Sequence, residues 1–295
     1  MSRVRIIFAI FCGASLLAAS AATLPETYRE ARAALSAGDA AKAVALLEPV
    51  LAGTEGDEAQ RSLASLALGL AYLRTGKIES SVPLLEKAAA RSVGTPDAAS
   101  ALAPLGDARR KLGQTTEARQ AYTQAAGAAP SAPLGRYAQA RLTELTGESQ
   151  LAEKAYAKAA GSFLSAADDL LALATDEPAY LADASALYTK VAQGREWRGE
   201  PTARAVFSMG EVERAQGHLP EALAYYQRTF VSWLRYPHWC ALAYLRAADC
   251  MDQLGKREFA IRHLWEMIGK PERFRALPEY EQARKQLRAW GEKVD

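Results

Sequence analysis

The 295-residue sequence contains no asparagine at all, three cysteines and three histidines, and its formal net charge is +2. Without asparagine there is no acceptor for N-glycosylation. A charge this close to zero gives no whole-molecule attraction to nucleic acid or to an anionic membrane, which depends on clustered positive charge. His218, His238 and His263 fall in different predicted helices or turns and lack ligand spacing, so no metal set is assigned. The sequence also lacks G-x-G-x-x-G, G-x-x-x-x-G-K-[ST], H-E-x-x-H and G-x-S-x-G, so neither a cofactor nor a catalytic residue is assigned, and an enzyme is not expected. Gly76-Lys77 and Gly255-Lys256 resemble pieces of a phosphate loop but have Ala71 and Cys250 where the earlier glycine belongs. They read as helix-ending glycines. Asp168-Asp169 and Asp176-Glu177 are adjacent pairs whose side chains diverge on a helix, and they read as solvated charges.

The first 22 residues differ from the rest. Arg3 and Arg5 are followed by the uncharged apolar run Ile6 to Leu17 and then by the small residues Ala18 to Ala22. This is the layout of a cleaved secretory signal peptide, with Ala19-Ser20-Ala21 suited to cleavage before Ala22. An uncleaved anchor is the alternative, but the run has twelve residues and a spanning helix needs about 20. Cys12 follows Phe11, not the small residue a lipid attachment site requires, and is assigned to the discarded peptide. The expected location is exported, periplasmic or attached to the cell envelope, with no membrane insertion after cleavage. Cleavage removes two basic residues and leaves 34 of each sign, a formally neutral chain. Cys240 and Cys250 then remain, ten apart on one predicted helix. At 1.5 Å per residue they are about 15 Å apart, well beyond the roughly 7 Å Cα limit for a disulfide, so they read as buried free thiols.

Internal periodicity predicts the fold. Counting from Ala99, Leu105 and Gly106 fall at positions seven and eight, Gly113 at fifteen, Ala118 at twenty, Tyr122 at twenty-four, Ala125 at twenty-seven and Pro130 at thirty-two. The same frame from Ser62 gives Leu68, Gly69, Tyr72, Gly76, Leu85 and Ala88, and from Ala203 it gives Met209, Gly210, Gly217, Ala222 and Tyr226. Weaker copies start near Leu24, Pro133 and Ala241, with Gly38, Gly147 and Gly255 at position fifteen. Small residues at eight and twenty let two antiparallel helices cross closely, and large ones at seven and twenty-four fill the space between them. A glycine at fifteen permits the left-handed turn that ends the first helix. Proline at thirty-two cannot continue the second.

This pattern resembles the tetratricopeptide repeat across residues 23–295. The resemblance implies an all-α, right-handed α-solenoid of antiparallel helix pairs forming a single superhelix. About seven repeats are expected, the fifth, over 165–198, being degenerate because Ala179 replaces the glycine, and a C-terminal capping helix is expected over 278–293. The sequence departs from the family at position four, where Leu102 and Ser65 replace the usual tryptophan, and at position eleven, where Arg109 and Glu213 replace an aromatic.

In this family the first helices line a concave groove for a peptide or partner helix. Positions two, five, nine, twelve and thirteen are Leu63, Leu66, Leu70, Leu73 and Arg74 in the second repeat, where four leucines form one apolar stripe that a neighbouring helix could also cover. Elsewhere the implied lining is mixed and includes Arg110, Lys111, Tyr137, Arg141, Phe207 and Arg214. Members that clamp a carboxyl-terminal peptide use asparagines, which this chain lacks. All five tryptophans lie from Trp197 onward, and core packing or an interface would account for them. Trp233-Leu234-Arg235-Tyr236-Pro237, followed by Ala241, Gly255 and Ala260, is similar to the Tyr-Pro junctions of bacterial envelope repeat proteins, among them outer-membrane assembly lipoproteins and Tol-associated cell-division coordinators. The expected function is a protein- or peptide-binding scaffold of the envelope, with a self-assembling homo-oligomer as the alternative.

Overall fold

A computed structural model describes residues 23–54 and 56–294; the segment expected to be a signal peptide lies outside them. Among the described residues there are fifteen α-helices, one short 3-10 turn over Pro96–Ala98 and no strand. The chain divides into two compact units, one ending at Ala88 and the other starting at Ala89.

The first unit holds α1 (Leu24–Ser36), α2 (Ala40–Ala52), α3 (Glu58–Thr75) and the greater part of α4 (Ile78–Arg91). Polar residues fix where its helices start. Glu26 accepts from the Thr23 N–H at 3.1 Å. Asp57 accepts from the Gln60 N–H at 2.8 Å, and Gln60 accepts from the Asp57 N–H at 3.2 Å, satisfying donors that an α-helix leaves orphaned. Leu24, Ala31, Leu35, Ala43, Val44, Leu47, Ala64, Leu68 and Ala71 form the core. Gly69 lies buried beneath Leu84 and Leu85, and a Cβ there would come within 3.0 Å of Leu85.

The second unit holds α5 (Ala99–Lys111), α6 (Thr115–Ala128), α7 (Pro133–Ala152), α8 (Tyr156–Leu173), α9 (Tyr180–Gln193), α10 (Glu200–Ala215), α11 (Leu219–Ser232), α12 (Pro237–Gln253), α13 (Arg257–Ile268), the short α14 (Pro271–Phe274) and α15 (Pro278–Ala289). The last of these falls where the terminal helix is expected. Cys240 and Cys250 are buried free thiols on α12, and burial pushes each up to about 11.

A glycine beneath a large side chain sixteen residues later marks three close crossings of this unit. An added Cβ would lie 2.5 Å from Tyr122 at Gly106, 2.9 Å from Phe163 at Gly147 and 2.6 Å from Tyr226 at Gly210. The middle pair corrects the frame that starts at Pro133. Gly147 is not a turn residue but sits inside α7, at a helix crossing. The left-handed turn comes seven residues later at Lys154, whose φ of 60° is positive, while Gly38, Gly76, Gly113, Gly217 and Gly255 occupy the corresponding turns elsewhere. The frame of this repeat therefore starts at Ala140, and α7 begins a full two turns ahead of it. The expected fifth repeat has no first helix of its own, because residues 165–173 continue α8 without a break and only α9 follows.

Candidate functional site

On α3, Leu63 is 48% exposed, Leu66 and Leu70 are half-buried, and Leu73 is buried at 9%. The stripe is thus graded from solvent at its N-terminal end to core at its C-terminal end. Arg74 is an exposed residue whose Nη1 donates to the Leu35 carbonyl at 2.7 Å, tying α3 to the end of α1. Tyr72 points to another partner: its hydroxyl donates to Glu48 at 2.6 Å. That bond pushes the phenol up to about 12 and, with help from Lys77, holds Glu48 below the usual carboxylate range.

In the second unit, a network joins α5, α6, α7 and α9 and takes in Arg110, Tyr137 and Arg141 of the implied lining. Asp107 accepts from the Tyr122 hydroxyl at 2.6 Å and from the Tyr137 hydroxyl at 2.8 Å. Arg141 Nε donates to Tyr137 Oη at 2.9 Å, Nη1 to Glu144 at 2.8 Å and Nη2 to Asp183 at 2.5 Å. Its guanidinium also stands 4.9 Å from the centre of the Tyr137 ring, whose other partner is Tyr180, stacked at 5.0 Å. Arg110 reaches Glu144 through both terminal nitrogens, at 3.1 and 2.5 Å, and Glu148 at 3.1 Å.

Burial sets the charges of this network against each other. Desolvation works against the Arg141 cation, yet Tyr137, Asp183, Asp107 and Glu144 outweigh it and raise its pKa. For Asp107 burial prevails and raises the carboxyl above its ordinary value, opposed by Arg141 and by the hydroxyls of Tyr122 and Tyr137. Arg141 and Glu144 are buried polar residues that satisfy each other, the condition under which such groups are tolerated. Tyr137 and Arg141 are therefore interior groups, and Arg110 is committed to two carboxylates. Lys111, the next residue, is exposed at the end of α5.

On α10, Phe207 is buried between Tyr226 and Trp239, with ring centres 5.6 and 5.7 Å away. Arg214 donates to Glu211 at 2.8 Å, and Glu211 also accepts from Tyr226 and Arg246. Burial opposes the Glu211 charge, but these three donors prevail and lower its pKa. Asp168 is not merely solvated: it accepts from the Tyr188 hydroxyl at 2.6 Å and pairs with Arg204. Among the described residues, no group of three or more His, Cys, Asp or Glu is placed to hold a metal ion.

Of the eleven lining residues, Leu63, Leu66 and Leu70 in the first unit and Lys111 in the second remain available to a partner. The sequence missed Glu144, Glu148 and Asp183 as members of a network. Glu144 pairs locally with Arg141 three residues before it, but the pairs that make these residues a network span 34 to 42 residues, separations at which no local pattern signals contact.

Residues 66–133 and 104–173 match the family model of the tetratricopeptide repeat. A search of curated proteins finds no match. Among solved structures, the chain is similar to a tetratricopeptide repeat protein from Parabacteroides merdae, with 14% identity, 83% of this chain and 91% of that one covered, and a TM-score of 0.40. The C-terminal part of a TPR repeat-containing protein from Cytophaga hutchinsonii is similar at 12% identity, with 87% and 98% covered and a TM-score of 0.40. The TPR2AB domain of yeast Sti1, solved as a pHSP90 complex, is similar at 14% identity, with 89% and 95% covered and a TM-score of 0.35.

Proposed function

We propose that this chain, which carries tetratricopeptide repeats over residues 66–173, is an exported scaffold that binds a segment of a partner protein on the exposed face of α3. Protein–protein interaction is the general role that the repeat fold suggests. The observation that carries the present reading is the leucine stripe: Leu63 stands in solvent, and Leu66 and Leu70 are open enough to be reached, on a helix whose opposite face supplies the core residues Ala64, Leu68 and Ala71. Apolar surface aligned along one helix face is a recurring means of holding a peptide. Export is supported by the basic, apolar and small-residue order of residues 1–22. Among the described residues, no helix is long and apolar enough to cross a membrane.

Changing Leu66 and Leu70 together to serine tests the site. Exposed positions should change stability by about 0.5 kcal/mol each or less, whereas core leucines would cost roughly 2 to 5 kcal/mol each. Because both leucines are half-buried, the expected result is a urea midpoint lowered by clearly less than two core leucines would cost, with loss of partner capture from envelope extract. A collapse of the midpoint would make the stripe structural and end the proposal. Export is tested separately by the mass of the protein recovered from the exported fraction, which should lack the first 21 residues. A second reading, self-association, is favoured by Phe259 and Trp265, which are 51% and 37% exposed on α13. Light scattering decides it, since a monomer at micromolar concentration excludes that reading.

A further inference from the structure

The chain takes an irregular course where α8 turns into α9. The turns after α1, α5, α7, α10 and α12 are three residues long, but this one runs over six, 174–179, and has Ala179 where the turn glycine is expected. The longer connection holds the helix ends apart, and a cavity of about 390 Å³ opens there, lined by Leu171, Ala174, Thr175, Pro178, Leu181 and Ala215. Its size lies in the range of small ligand sites, roughly 300 to 1,000 Å³. The lining side chains are alkyl groups apart from one threonine hydroxyl.

The surroundings of the cavity are acidic. Asp176 and Glu177 occupy the two positions between the lining residues Thr175 and Pro178, so they stand at its rim, and both are exposed. Neither carboxylate meets a cation among the described residues. α8 ends at Leu173 and α10 at Ala215, so two helix C-termini bring partial negative charge to the same place, against the single N-terminus of α9. Arg214, the cation next to a lining residue, is held by Glu211 at 2.8 Å.

We propose that this cavity is a second docking point, which takes one large apolar side chain of a peptide whose neighbouring residues are lysine or arginine. The apolar group fills the space among Leu171, Leu181 and Ala215, and the flanking cations pair with Asp176 and Glu177. The negative rim disfavours acidic peptides. This site is independent of the leucine stripe on α3.

Fluorescence anisotropy of the full chain with a dye-labelled Gly-Lys-Phe-Lys-Gly peptide tests the assignment. The parent peptide should bind with submillimolar affinity, and analogues with serine for phenylalanine, or glutamate for both lysines, should bind about tenfold more weakly or less. Ala215→Trp and Thr175→Trp, each an exposed position that fills the cavity from its edge, should weaken the parent peptide by the same factor, as should Asp176→Lys combined with Glu177→Lys. The Leu66→Ser/Leu70→Ser protein should bind it unchanged, which separates this site from the α3 face. Absence of binding at about 1 mM, equal binding of the serine analogue, or unaltered affinity in both tryptophan variants would overturn the proposal. If one tryptophan variant melts early, the other variant and the charge reversal decide.

Discussion

Replacing Gly106 and Gly127 by alanine, one at a time, isolates the energy of a single helix crossing. Gly106 lies inside α5 and Gly127 is the penultimate residue of α6, so helix propensity favours both replacements, by roughly 0.5 to 1 kcal/mol at Gly106 and by less at the helix end. Their surroundings differ completely. A Cβ at Gly127 meets nothing within 4 Å, whereas at Gly106 it would stand 2.5 Å from Cε1 and 2.6 Å from Cδ1 of Tyr122. That ring cannot swing aside cheaply: Tyr122 is 0% exposed, and its hydroxyl is fixed to Asp107 at 2.6 Å. Overpacking of this kind costs roughly 1 to 3 kcal/mol. With the larger propensity gain at Gly106 subtracted, about 1 to 2 kcal/mol should separate the two variants, with Gly127→Ala at or above the wild-type urea midpoint and Gly106→Ala below it. In an array the loss should stay local, so hydrogen exchange should accelerate first in α5 and α6. Equal midpoints, or a Gly106→Ala protein more stable than wild type, would refute the crossing.

Three further outcomes follow from the second unit. Lys154→Gly should stabilise the protein by about 1 kcal/mol, since a left-handed conformation costs an L-residue roughly 1 to 2 kcal/mol and part of the gain is lost to unfolded-chain entropy; calorimetry reads this as a rise of about 2 to 4 °C. Arg141→Leu should destabilise by about 3 to 5 kcal/mol in a denaturant titration, because Asp107 and Asp183 lose their cation and Glu144 keeps only Arg110, and a cost below about 1 kcal/mol would show that the pairing is dispensable. The thiols of Cys240 and Cys250 should react slowly with a disulfide reagent at pH 8 in the folded protein and quickly in denaturant, since burial both shields them and holds them protonated, with pKa values of about 11.

The repeat architecture was legible because its constraints are local. A glycine eight residues into a frame and an aromatic sixteen residues later belong to one helical hairpin, and Gly106 with Tyr122, and Gly210 with Tyr226, could be paired by counting. The same counting misplaced the α7 hairpin, for a physical reason. Gly147 can serve either a left-handed turn or a close crossing, and nothing in its immediate neighbours distinguishes the two. The decisive signal was Phe163, sixteen residues on, where a ring fills the space that the missing Cβ leaves. A lysine in the left-handed turn at 154 hid that turn from any search for glycine. The site was less legible than the fold. Position in the repeat located the first-helix faces but not whether a side chain is spent inside the protein, which depends on charges from other repeats.

Arg141 shows what that dependence means for recognition. By repeat position alone it is a groove cation, free to bind a carboxylate of a partner. In the fold it already holds Glu144 and Asp183 and touches Tyr137, and Arg110 and Lys190 bring further positive charge to Glu144 and Glu148. An incoming carboxylate would have to break a buried and desolvated ion pair, leaving Glu144 with Arg110 alone and Asp183 without Arg141, at a cost of several kcal/mol. A new surface contact returns about 0 to 1 kcal/mol, so displacement loses. The proposed recognition therefore rests on groups that are not already paired among the described residues: the half-open leucines of α3 for the first site, and the carboxylates of Asp176 and Glu177 beside the α8–α9 turn for the second. The charged network contributes rigidity instead, joining α5, α6, α7 and α9 of the second unit through Asp107 and Arg141.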